Sequence, residues 1–162
     1  MKVINLNAIF PILFTRALLP QLRASKGPTL VAFVGSISAD IPIPRFGVYA
    51  ACKHFLEALA RCLDADERWP AAAPLRPSFM YMAVGKVVTG TMPTVPNLFN
   101  PTSERFAKSL VPKLGCGRRR ITPYMPHAIE SSIIPLLGDK IIERAISKEV
   151  GEILKLGNPK HD

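Results

Sequence analysis

The stretch TLVAFVGSISADIPIPRFGVYAACK, residues 29–53, decides the fold class. Thr29 to Val34 is a short continuous apolar run rich in β-formers. It has no polar alternation, so the pattern predicts a buried parallel strand. Pro42 and Pro44 mark a loop, and from Phe46 or Gly47 to about Trp69 apolar residues return at helical spacing until Pro70 closes the run.

The same alternation continues outward. Ahead of the strand, Leu6, Ile9, Phe10, Leu13, Ala17, Leu18 and Leu22 predict a helix from Asn5 to about Arg23, with Pro11 in or near its first turn and Lys26-Gly27-Pro28 ending it. Behind the second helix, SFMYMA (78–83) reads as another buried strand. Residues 86–101, with Gly90, Pro93, Pro96 and Pro101, form a long loop of the kind that covers a ligand. A capped helix from Thr102 or Ser103 to Leu114, a third strand over Arg119 to Tyr124 and a mostly helical stretch over 127–155 follow. Helix and strand in alternation predict an α/β fold with a parallel sheet, in one domain spanning residues 1–162.

Bulk composition narrows the function classes. The three cysteines, Cys52, Cys62 and Cys116, form no CxxC pair, and His54, His127 and His161 are scattered, so no metal site is expected. Twenty-one basic against twelve acidic residues leave +9, but only Arg118, Arg119 and Arg120 cluster, without interleaved aromatics. They read as a solvated loop or strand end, and no nucleic-acid partner is expected. The N-terminal apolar run is broken by Arg16 and Gln21, which argues against a signal peptide and predicts a segment too short to span a membrane.

The chemistry lies in the residues after the first strand. Tyr49 and Lys53 are four apart on one helix and share a face. An ammonium beside a phenol favours the phenolate and lowers its pKa from about 10, making a usable general acid or base. Ser36 follows the strand's carboxyl end, where ligands of parallel sheets bind and where a hydroxyl can stabilise charge growing on oxygen. A Tyr-x-x-x-Lys pair also occurs on ordinary helices, and spacing alone does not separate the two cases.

Ser36, then Tyr49 thirteen positions on, then Lys53, resembles the active-site segment of the short-chain dehydrogenase/reductase family. INLNAIF resembles the family's helix with a catalytic asparagine, here Asn5, and AVGKVVTGTM resembles its loop after the next strand, with Gly85 and Thr89 in place and Val84 where proline is usual. IPIP before FGVY, TSERFAKSLVPKLGCG and ITPYMPHAIESSIIPLL resemble the family's very-long-chain 3-oxoacyl-CoA reductase and 17β-hydroxysteroid dehydrogenase branch. The resemblance implies NADPH-dependent reduction of a ketone, of 3-oxoacyl-CoA or 17-ketosteroid type. Tyr49 would exchange the proton, Lys53 would tune it and hold the nicotinamide ribose, Ser36 would orient the carbonyl and Asn5 would support a water-linked relay. Gly85, Thr89 and the backbone around Val87 would meet the nicotinamide.

The family's T-G-x-x-x-G-x-G turn and Asn-Asn-Ala-Gly segment have no match in these residues. The expected architecture is therefore a partial Rossmann-like, doubly wound parallel sheet: the last three strands with their flanking helices, the adenosine and pyrophosphate half of the cofactor site absent. Three readings stay open: the substrate half of a reductase, a non-catalytic module that pairs as a homo-oligomer or with a full-length relative, and a lipid-associated protein in peripheral contact with a membrane. The resemblance implies residence at the endoplasmic reticulum, the missing anchor a cytoplasmic location.

Overall fold

The computed structural model describes residues 1–41, 43–69, 76–90, 94–138, 140–144, 146–147 and 151. Helix α1 (Lys2–Arg23) leads to strand β1 (Leu30–Val34) and helix α2 (Gly47–Arg68). Strand β2 (Ser78–Met82), helix α3 (Ser103–Leu110), strand β3 (Arg120–Ile121) and helix α4 (Met125–Ile133) follow. The strands lie in the order β1-β2-β3, all parallel. The register runs from Leu30 opposite Ser78 to Val34 opposite Met82, then Tyr81 opposite Arg120 and Met82 opposite Ile121. The expected α/β architecture with a three-stranded parallel sheet is what forms.

Strand β2 is the centre of the molecule. Phe79 and Tyr81 point to one face, where Phe33, Leu56 and Ala60 pack on them, and Met80 and Met82 point to the other, beside Ile121. These four β2 side chains are buried and only Ser78, at the strand's start, is exposed, as a central parallel strand covered on both faces requires. The equally apolar β1 differs from its expectation. Only Phe33 of that strand is buried and Val34 is exposed, because β1 lies at one edge of the described sheet. The third strand is also shorter than expected. Pro123 has no N–H to continue the ladder, so pairing ends at Ile121.

Helix α2 covers the sheet with a stripe of Cys52, Leu56 and Ala60, yet the same side also buries Lys53, Glu57, Asp64 and Glu67. The acids are held by arginines from other elements. Arg120 reaches both Glu57, at 2.9 Å, and Asp40; Arg119 reaches Asp64 at 2.6 Å; Arg23 pairs with Glu67. Two of the three clustered arginines thus clamp β3 to the rest of the fold, rather than forming the solvated strand end expected of them.

Helix α1 contains a π-helical turn, Asn5–Ile9, in which the Phe10 N–H bonds the Asn5 carbonyl. Pro11 follows it and brings no N–H of its own, and a widened turn accommodates such a lost donor. The helix starts three residues earlier than expected. At 22 residues it is long and apolar enough to cross a membrane by length and composition, contrary to the sequence reading, and little of it is buried. Exposed Leu6, Phe10, Leu13 and Phe14 mark its outer face. Thr102 caps α3, its hydroxyl accepting the Arg105 N–H at 3.3 Å, as the capping pattern predicted.

Candidate active site

A cavity of about 750 Å³ opens at the carboxyl ends of β1 and β2. Ser36, Ser38 and Tyr49 line one side, Gly85 and Lys86 the end of the segment after β2, and Leu98 to Asn100 the facing loop. Its wall is largely apolar, with Ile41, Ile43, Phe46 and Ile134 contributing. This is where the crevice of a parallel sheet is expected to take a ligand.

Ser36 stands at the first position beyond Gly35 and caps the short 3-10 turn Ile37–Ala39. Its hydroxyl oxygen accepts the Ser38 N–H at 3.1 Å and the Ser38 hydroxyl at 2.8 Å. With both acceptor positions filled, the remaining valence of Ser36 Oγ is its own proton, available for donation into the cavity. Ser38 was missed in the sequence, although the S-x-S spacing over a tight turn is the signal that could have found it.

Tyr49 and Lys53 lie on α2 one turn apart, as their spacing required. Lys53 Nζ sits 5.4 Å from the centroid of the Tyr49 ring and donates to the Val34 carbonyl at 3.0 Å. The lysine is 9% exposed, and this burial pulls its pKa below the ordinary lysine range. An ammonium has three donors, and Val34 uses one of them, leaving two for hydroxyl groups of a ligand. Two donors on one ammonium suit paired hydroxyls such as those of a ribose, although Lys53 itself is not among the cavity-lining residues.

The other expected residues are placed less centrally. Gly85 lines the cavity. Val87 is half-buried and Thr89 exposed farther along the same segment, where Val88 bridges to Thr102. Asn5 is exposed at the start of the π turn, on the helix that packs beside α2, and is not among the cavity-lining residues.

His127 is fully buried behind the cavity-lining Gly85 and Phe99, a role its isolated place in the sequence does not announce. Its Nδ1 accepts the Gly85 N–H at 3.2 Å, and its Nε2 lies 2.9 Å from the Phe99 carbonyl. That pairing fits the neutral ring with the proton on Nε2, donated to Phe99. Burial lowers the pKa of this imidazole below 6.5, against the opposing pull of the carbonyls. The ring therefore ties the segment after β2 to the loop carrying Leu98 and Phe99. A β-carbon at Gly85 would lie 2.6 Å from it, so only glycine lets the two approach.

Asp40, His54 and Glu57 bring ligand atoms within 4.8 Å of one another. Arg120 already engages both carboxylates, so the trio is an ion-pair cluster and is not read as a cation site.

The family model described as short chain dehydrogenase matches residues 1–69. The very-long-chain 3-oxoacyl-CoA reductase of Rattus norvegicus is 30% identical over 139 residues, covering 84% of this chain and 42% of that protein. The human protein of the same name is 29% identical over 136 residues, covering 82% and 41%. The chain thus spans less than half the length of these curated relatives. A short chain dehydrogenase from Burkholderia cenocepacia J2315, solved in complex with NADP, superposes with a TM-score of 0.66 at 19% identity, over 86% of this chain and 57% of that one. One from Streptomyces avermitilis gives 0.62 at 19% identity, over 96% and 60%. These likenesses show the same fold.

Proposed function

We propose that this chain is a member of the short-chain dehydrogenase/reductase family, which the match of its first 69 residues supports, and that it supplies the proton-transfer and substrate-binding half of an NADPH-dependent ketone reduction. The observation that carries this reading is the meeting of Ser36 and Tyr49 on one cavity, with Lys53 beneath Tyr49. The substrate oxygen would lie between the Ser36 hydroxyl, which donates a hydrogen bond, and the Tyr49 hydroxyl, which donates the proton. Lys53 stabilises the phenolate that results and holds the ribose with its two remaining donors. Gly85, the Val87 backbone and Thr89 would meet the carboxamide, and Asn5 would support return of the proton from solvent. Reduced nicotinamide, when bound, supplies the hydride. The apolar wall suits an acyl chain or a steroid, so 3-oxoacyl-CoA and 17-ketosteroid are the substrate classes in view. Residence at the endoplasmic reticulum belongs to the same proposal.

The test is NADPH titration of the purified chain, followed by turnover of a 3-oxoacyl-CoA by this chain and by Tyr49→Phe. Saturable binding with turnover that Tyr49→Phe abolishes supports the reading. Turnover that survives intact in Tyr49→Phe would falsify it.

A second reading, association with another copy or with a longer relative, is favoured by the exposed Leu6, Phe10, Leu13 and Phe14 on α1 and Val48 and Phe55 on α2. Sedimentation separates it from the third, membrane contact: a discrete oligomer supports the former, and capture by anionic vesicles the latter.

A further inference from the structure

We propose that Tyr81 is the positioning residue for Ser36: one buried phenol hydroxyl on the central strand holds both backbone polar groups of that serine, and so fixes the hydroxyl presented to the cavity. The Ser36 N–H donates to the Tyr81 oxygen at 3.0 Å, and the Tyr81 hydroxyl donates to the Ser36 carbonyl at 3.0 Å. The inference rests on the role proposed for Ser36 above.

Backbone geometry makes this pairing feasible. Ser36 has φ −151° and ψ 149°, a nearly flat extended conformation in which N–H and C=O point the same way. The neighbours on either side are tied to the segment of β2 by backbone bonds, Gly35 N–H to Met82 at 2.9 Å and Ile37 N–H to Val84 at 3.0 Å. The intervening Ser36 faces away from those carbonyls, as alternate residues of a strand do. A side chain supplies what the ladder leaves unmade.

The space for that side chain comes from Gly35. A β-carbon there would lie 2.0 Å from the Tyr81 ring and 2.4 Å from its hydroxyl, so the ring occupies the volume of the missing side chain. Gly35 and Tyr81 are one device. The Arg120 guanidinium lies 5.8 Å from the ring centroid and is itself held by Asp40 and Glu57. Burial pushes the phenol up to about 12, so the hydroxyl stays protonated and can donate.

Two measurements on the full chain decide it. In Tyr81→Phe, amide exchange at Ser36 should speed up about five- to ten-fold, the equivalent of one lost hydrogen bond, and kcat should fall while NADPH affinity holds. Unchanged exchange at Ser36 would overturn the proposal. A double-mutant cycle supplies an arm independent of activity: Gly35→Ala should be much more damaging with Tyr81 present than in a Tyr81→Ala background. Equal cost in both backgrounds overturns the proposal as well. A chain with the coupling intact but no turnover would sink the reductase reading and leave Tyr81 as the holder of Ser36.

Discussion

The Lys53 ammonium donates to the carbonyl of Val34, the last residue of β1, at 3.0 Å. This bond joins the helix carrying Tyr49 to the strand that leads into Ser36. It also places a cation in a buried position with one hydrogen-bond acceptor and no anion facing it among the described residues, an arrangement that costs the fold desolvation energy. Groups held at such a cost cluster at functional sites.

Lys53→Met keeps the length of the side chain and removes the charge. The expected stability change is small, within about 1 kcal/mol of zero, because the lost hydrogen bond and the relieved desolvation oppose each other. NADPH affinity and turnover should both collapse, with kcat/KM lower by a factor of roughly 100 or more. Thermal melting and steady-state kinetics on one preparation check the split. A variant that loses stability and activity in proportion would reassign Lys53 to the scaffold.

Ser36 and Ser38 share hydrogen bonds, so their effects should be unequal and non-additive. Ser36→Ala removes the donor to the substrate oxygen and is expected to lower kcat about 100-fold. Ser38→Ala leaves that donor but releases its orientation, and about a five- to ten-fold loss is expected. The double variant should resemble Ser36→Ala alone.

Arg120 carries much of the contact between β3 and the sheet's covering helix. Arg120→Met strands Glu57, whose side chain is 8% exposed, without its cation. Removing one member of a buried pair costs about 3–5 kcal/mol, and the partial exposure of Arg120 puts the expected loss at or below the lower end, near 2–3 kcal/mol. Adding Glu57→Gln to that variant should recover part of the loss. Denaturant melts of the two variants would show it, and no recovery would mean that Glu57 does not depend on Arg120.

His127 makes the fold sensitive to acid. Its folded pKa lies below the unfolded value of 6.5, so the unfolded chain binds the extra proton first. Its contribution is present above 6.5 and is lost as pH falls through the folded pKa. Protonation removes the lone pair that accepts the Gly85 N–H, which should loosen the cavity's back wall. Stability measured from pH 7 down to 5 should decline in the native chain, and His127→Gln should flatten that part of the curve. Equal slopes for both chains would remove His127 from the account.

Several features were legible because they are local. Tyr49 and Lys53 meet because four residues make about one helical turn, and Thr102 caps α3 because its hydroxyl needs to reach only three residues ahead. Other features were out of reach for the opposite reason. Asp40 and Arg120 are 80 positions apart and Gly85 and His127 are 42 apart, and nothing in the local pattern at either end announces the partner. TLVAFV and SFMYMA read alike as buried strands, yet within the described sheet only the second has a neighbour on each edge.

The sequence by itself determined the alternation of helices and strands, the parallel sheet, and the shared helix face of Tyr49 and Lys53, since periodicity and short spacing act within a few residues of chain. The tertiary structure alone decided which strand is central, that Arg119 and Arg120 are clamps, and that His127 and Tyr81 hold the walls of the cavity. Those outcomes depend on burial, which withdraws water from a polar group and obliges it to find a partner wherever the fold has brought one.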